Sequence, residues 1–255
     1  MHDNVQNFAV AHLLRRPAPV ETGGFVAGFD PATDSPYVNY ATPFPGAEPA
    51  DRDVTALIRA FRERGLRPRL EFAPDAAPAV EPALRRAGFR TEAVHDYLVC
   101  TPATLVVPAN GDGPDGGLAV RAPRTDEDYR AVDTALSEAF AGEFGPSEAG
   151  AARLRRTEEQ GGAVRFVRAP DGTCAGGALC SAPAEDTAEL AGVGTRPVYR
   201  GRGIAAAVTA ALAATTFSRG TSSVWLEYSG EGSRRVYERV GFRPRGTRLY
   251  LTLEG

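Results

Sequence analysis

Ala188-Glu189-Leu190-Ala191-Gly192-Val193-Gly194-Thr195-Arg196-Pro197-Val198-Tyr199-Arg200-Gly201-Arg202-Gly203-Ile204-Ala205 decides the reading of this chain. It reads as a strand, a short glycine-rich loop and the first turn of a helix. Such a loop turns several backbone N–H groups toward one point, and the helix N-terminus adds partial positive charge. Together they suit a phosphate or pyrophosphate. Gly201 and Gly203 permit close approach, and Arg200 and Arg202 flank the site.

A dinucleotide fold is the first reading to test. Gly201-Arg202-Gly203-Ile204-Ala205-Ala206 fits a loose G-x-G-x-x-A, and Glu227 follows where a ribose acid would stand. However, Arg196 to Arg200 separate the strand from the first glycine, and a Pro lies among them. Roughly fifty residues remain after the loop, too few for a doubly wound sheet. The second reading is a resemblance. Arg200-Gly201-Arg202-Gly203-Ile204-Ala205 resembles the R-x-x-G-x-G/A loop of the GNAT N-acetyltransferase superfamily. Val193-Gly194-Thr195-Arg196-Pro197 resembles the V-x-V-x-P end of that family's fourth strand. Ser233-Arg234-Arg235-Val236-Tyr237-Glu238-Arg239-Val240-Gly241-Phe242 resembles its A-x-x-x-Y-x-x-x-G-F helix. The three come in family order over about half of the chain.

The chain also repeats itself. Leu84-Arg85-Arg86-Ala87-Gly88-Phe89-Arg90, followed by Tyr97-Leu98, matches Tyr237-Glu238-Arg239-Val240-Gly241-Phe242-Arg243, followed by Tyr250-Leu251. Both the Gly-Phe and Tyr-Leu pairs are displaced by 153 residues, which indicates a duplicated domain rather than a solenoid. The expected fold class is α/β, a mixed α+β sheet. It is a tandem GNAT-like fold with a complete second copy and a truncated first copy. The expected domains are a degenerate copy at 1–104, a linker at 105–117 rich in Gly, Pro and Asp, and a catalytic copy at 118–255. In the first copy Gly24 to Ala27 and Val38 to Ala41 read as a hairpin, and Val54, Leu57, Ile58 and Phe61 stripe a helix. Pro45-Gly46-Ala47-Glu48-Pro49-Ala50-Asp51 stands where the second copy has its loop. Its acids would repel a phosphate and its prolines remove donors. In the second copy Thr125 and Asp128 form a capping box, residues 147–158 a helix, and 163–168 and 174–181 two strands.

Composition narrows the classes. The net charge of −3 and pI near 5.7 argue against a nucleic-acid surface. No run of eighteen apolar residues suggests a membrane span, and Met1-His2-Asp3-Asn4 does not open a secretory signal. Cys100, Cys174 and Cys180 lack metal spacing and suit a reducing cytoplasm, the expected location. No metal is expected. All 29 basic residues are arginine, so no lysine is available as a base or Schiff-base former.

The resemblance implies acyl-CoA-dependent acyl transfer, with acetyl-CoA the default donor, to a primary amine of a small molecule or peptide. It implies direct attack in a ternary complex by a monomer or homodimer, without nucleic acid or membrane. It further implies that Val193 and Thr195 contact pantetheine and that the segment Arg200, Gly201, Arg202, Gly203, Ile204 and Ala205 holds the pyrophosphate. Glu189 matches the glutamate that accepts the ammonium proton. Six residues before Thr195, it shares a face with it at period two. Its other reading is a solvated strand acid, and Asp186 is the fallback base. Tyr237 matches the tyrosine that protonates the leaving thiolate; its other reading is a core aromatic. Leu84 at the equivalent place in the first copy favours the polar role. Gly230 stands where the family often has Asn, and Ser233 is the candidate to replace that contact. Phe140, Glu143 and Phe144 lie in the segment that shapes the acceptor site, where aromatic rings beside an acid suit a cation; two core aromatics and a solvated acid are the alternative. The rival function is a non-catalytic acyl-CoA-binding regulatory module, which needs the loop but neither Glu189 nor Tyr237.

Overall fold

The computed structural model describes residues 3–107, 119–141 and 145–254. Its elements run α1 (Asp3–Leu14), β1 (Ala18–Thr22), β2 (Phe25–Phe29), β3 (Tyr40–Pro43), α2 (Asp51–Arg62), β4 (Arg69–Phe72), α3 (Val80–Arg86) and β5 (Arg90–Cys100). The second repeat follows with β6 (Val120–Arg121), α4 (Asp126–Ala139), α5 (Glu148–Glu159), β7 (Ala163–Arg168), β8 (Cys174–Cys180) and β9 (Thr187–Thr195). It closes with α6 (Ile204–Ser218), β10 (Ser223–Glu227), α7 (Gly230–Val240) and β11 (Arg243–Thr252). This is a mixed α/β fold with both parallel and antiparallel strand pairs. The first repeat has one helix before its first strand, where the second has a strand and two helices.

Packing divides the chain differently from its repeats. One compact unit is Met1–Tyr97 with Arg245–Gly255, and the other is Leu98–Pro244. The first unit has strand order β1-β2-β3-β4-β11. Its last member comes from the far end of the sequence and pairs antiparallel with β4, Leu251 opposite Leu70 and Leu249 opposite Phe72. Those four side chains join Phe25, Phe29, Leu57, Phe61 and Leu84 in one core. Each such apolar side chain contributes about 1.5–3 kcal/mol through burial, so the borrowed strand is a substantial part of this unit. Conversely Leu98 and Cys100, from the end of β5, are fully buried in the core of the second unit. Residues 105–107, expected in the linker, include Val106, whose N–H donates to the Val240 carbonyl at 2.9 Å.

The second unit has strand order β10-β9-β8-β7-β6. Strands β6 to β9 pair antiparallel, whereas β9 and β10 are parallel. The capping box is present: Thr125 accepts from the Asp128 N–H, and the Asp128 carboxylate accepts from the Thr125 N–H. On one face of the sheet α6 packs through Ile204, Val208 and Leu212; on the other α4 packs through Val132 and Ala135. The alanines of α6 let it lie close to the strands.

Candidate active site

Two strands part at one end of the second unit's strand order. The parallel register of β9 and β10 runs Ser223 to Thr187, Val224 to Ala188 and Trp225 to Glu189, and stops there. Beyond it β9 continues to Thr195 and β10 to Glu227 without pairing to each other. The opening thus begins beside Glu189 and is edged by Val193 and Thr195, the two residues expected to meet pantetheine.

The strand itself is irregular here. Gly177 pairs with Gly194 and Leu179 with Ala191, so three steps along β9 match two along β8. This one-residue bulge is made possible by Gly192 at φ +61°. It corrects the period-two expectation: Thr195 pairs with Gly176 and lies toward α6, while Glu189 shares the α4-facing side with Ala191 and Gly194. Glu189 is partly buried; its N–H donates to the Ser181 hydroxyl at 3.0 Å and its carbonyl accepts from the Ser181 N–H. Sequence reading missed Ser181, whose role depends on cross-strand register.

After β9 the chain makes a single 3-10 turn at Pro197–Tyr199, and Gly203 enters α6 at φ +80°, open only to a residue without Cβ strain. Among the described residues the backbone N–H groups of Gly201, Arg202, Gly203, Ile204 and Ala205 meet no acceptor. Open amide donors at a helix start are the kind of group that suits an anion such as a phosphate. Of the arginines around them, Arg202 is exposed, lies 5.5 Å over the Tyr199 ring and makes no ion pair among the described residues. Arg200 is held by backbone carbonyls. Its guanidinium donates to the Ala139 carbonyl at 3.1 Å and the Thr195 carbonyl at 3.4 Å, which turns it toward the end of α4. Arg196 is likewise engaged, forming a two-point pair with Glu138 at 2.6 and 3.2 Å.

Tyr237 lies on α7 and is 8 % exposed, with its ring 6.2 Å from that of Phe242. Burial raises its pKa to about 12, so the hydroxyl keeps its proton across the physiological range. Ser233 uses its hydroxyl in the first turn of α7, donating to the Gly230 carbonyl at 2.9 Å. The hydroxyl oxygen retains lone pairs for a donor contact. Phe140 ends α4 and is 43 % exposed; Glu143 and Phe144 lie outside the described residues. Asp186 sits in a tight turn at φ +54°, its carbonyl accepting from the N–H groups of Ser222 and Ser223. All three cysteines are buried and held up in pKa by burial, Cys174 to about 11 and Cys180 to about 12, so none is poised as a thiolate. Among the described residues no cluster of metal-ligating side chains occurs, and no helix is long and apolar enough to cross a membrane.

Comparison with known proteins bears on the family and the fold. Residues 129–242 match the model of the Acetyltransferase (GNAT) family. A GCN5-related N-acetyltransferase from Kribbella flavida superposes with a TM-score of 0.82 at 23 % identity, over 100 % of this chain and 96 % of that one. A putative GNAT-family acetyltransferase from Novosphingobium aromaticivorans gives 0.59 at 25 % identity, over 98 % of each chain. A tandem GNAT protein from the clavulanic acid biosynthesis pathway gives 0.65 at 12 % identity, over 94 % of this chain and 84 % of that one. No curated protein matches by sequence.

Proposed function

Starting from a GNAT acetyltransferase domain at residues 129–242, we propose that the protein transfers an acyl group, acetyl by default, from coenzyme A to a primary amine of a small molecule or peptide. The observation that carries this reading is the row of acceptor-free N–H groups at 201–205 beside the parted strands β9 and β10. Acetyl-CoA supplies an activated thioester when bound. The chain's own residues do the rest.

Val193 and Thr195 line the edge where the pantetheine arm would be held, and the 201–205 amides with Arg202 would take the pyrophosphate charge. Glu189, at the point where the strands part, accepts a proton from the ammonium form of the acceptor, directly or through water, because only the neutral amine attacks. Tyr237 holds a proton that no neighbouring group withdraws and delivers it to the departing thiolate. Direct attack suits a chain whose cysteines are buried and protonated. Phe140, with Glu143 and Phe144 beyond it in the sequence, is the proposed boundary of the acceptor site. A binding module would need the loop alone, so Glu189 and Tyr237 separate the two functions. Thiol release from acetyl-CoA across amines, peptides and aminoglycosides is the test. Turnover with any acceptor supports the enzyme, and donor binding without turnover across the panel would replace it by the module.

A further inference from the structure

We propose that Glu138, at the end of α4, is a positioning residue for the donor loop and acts on it through Arg196. This rests on the coenzyme A site proposed above. The Arg196 guanidinium meets both carboxylate oxygens of Glu138, Nε at 2.6 Å and Nη2 at 3.2 Å, across 58 residues of sequence. The same guanidinium lies 5.7 Å from the centre of the Tyr199 ring, whose hydroxyl donates to Asp171 at 2.8 Å. One residue beyond Glu138, the Ala139 carbonyl receives Arg200. Residues 196, 199 and 200 are thus tied down on the α4 and β7–β8 sides, immediately before the amides of 201–205.

The end of α4 is itself a firm anchor. A Cβ at Gly194 would come within 2.8 Å of Leu136 and 2.9 Å of Ala139, so the β9 backbone and the last turn of α4 are in direct contact. The Glu138–Arg196 pair is partly exposed, with side chains 44 % and 23 % accessible. A pair of this kind adds little to global stability. Its effect is to fix where the loop amides point, and anion affinity depends on their convergence.

The sign of one measurement separates this role from simple charge. Glu138 is an anion near an anion site, so if it acted only through its field, neutralising it would tighten coenzyme A binding. As a positioning residue, its neutralisation must weaken binding. Calorimetry with coenzyme A on the full chain is the experiment. Glu138→Gln is expected to raise Kd roughly three- to fivefold, with the melting temperature unmoved. Arg196→Glu alone should weaken binding further, and the swap of Glu138→Arg with Arg196→Glu should recover much of the loss. Unchanged or tighter binding by Glu138→Gln, or a swap no better than Arg196→Glu alone, overturns the proposal. A wild-type chain that binds no coenzyme A overturns instead the donor site on which it rests.

Discussion

Residues 43–53 and 195–207 stand at the same point in the two repeats, between a strand and the helix that follows it, and they treat their polar groups in opposite ways. In the first repeat the space is consumed from within. β3 and β4 are parallel and pair only at Ala41 and Leu70. Past that point the Thr42 hydroxyl donates to the Glu71 carbonyl at 2.7 Å, and Gly46 N–H donates to the Ala76 carbonyl at 2.7 Å. The fully buried Gln6 amide spans the rest, donating to the Pro43 carbonyl at 2.7 Å and accepting from the Ala73 N–H at 3.0 Å. At the head of α2 the Asp53 carboxylate accepts from the Ala50 N–H. In the second repeat the register of β9 and β10 ends at Glu189 and Trp225, and the amides of 201–205 are left with no acceptor among the described residues. The first copy thus uses within itself several of the donors whose counterparts stay open in the second.

The ends of α3 and α7 sharpen the contrast because there the backbone is the same. Phe89 N–H donates to the Leu84 carbonyl and Phe242 N–H to the Tyr237 carbonyl, both at 3.1 Å, with Gly88 and Gly241 in left-handed conformation. Leu84 and Tyr237 therefore hold equivalent backbone positions, one with an aliphatic side chain and the other with a phenol.

The largest expected effect falls on the loop. Gly203→Asp places a charge among the open amides and should reduce coenzyme A affinity by roughly a hundredfold or more, whereas Gly46→Asp in the first repeat should leave it unchanged. Calorimetry reads both, and equal losses would show that both repeats bind donor. Next, Tyr237→Phe should lower kcat about ten- to a thousandfold while preserving donor affinity. Because burial holds Tyr237 near 12, the wild-type profile should show no alkaline fall from this group below about pH 10. Full turnover by the variant would return Tyr237 to packing, like Leu84. Glu189→Gln is expected to act through the pH–rate profile: activity lost near neutrality is partly restored at high pH, where the amine is already neutral. An unchanged profile would move the proton to water or Asp186. The smallest effect belongs to the plug: Gln6→Ala strands the Ala73 N–H and Pro43 carbonyl and should cost about 1–3 kcal/mol in denaturant unfolding without creating a second donor site. A second calorimetric site in that variant would break the comparison.

Local patterns were readable where the structure is local. The Thr125–Asp128 capping box, the stripe on α2 and the glycine that ends each of α3 and α7 depend on residues close together in sequence, and each is present. The open loop was legible because glycine spacing determines backbone direction. The bulge was not: Gly192 and Gly194 both interrupt β9, and only pairing to β8 shows which one takes the extra step. The contact of Arg200 with the Ala139 carbonyl carries no sequence signal, because that partner lies 61 residues away and offers only backbone. Glu138 was invisible for the same reason, an exposed helix acid like many others until Arg196 is placed against it. The destination of β11 was equally hidden, since β5 and β11 share the Tyr-Leu pattern and nothing local says which sheet each joins.

That destination has a consequence in time. A chain is made from its N-terminus, yet the first unit lacks β11 until residues 245–255 exist, while the second is continuous from 98 to 244. At about 5–20 residues per second, the first hundred residues wait roughly 7–30 s for their last strand. Protease digestion of nascent chains arrested at increasing lengths should therefore find the second unit resistant before the first, and the reverse order would refute it. The half made first is the half finished last.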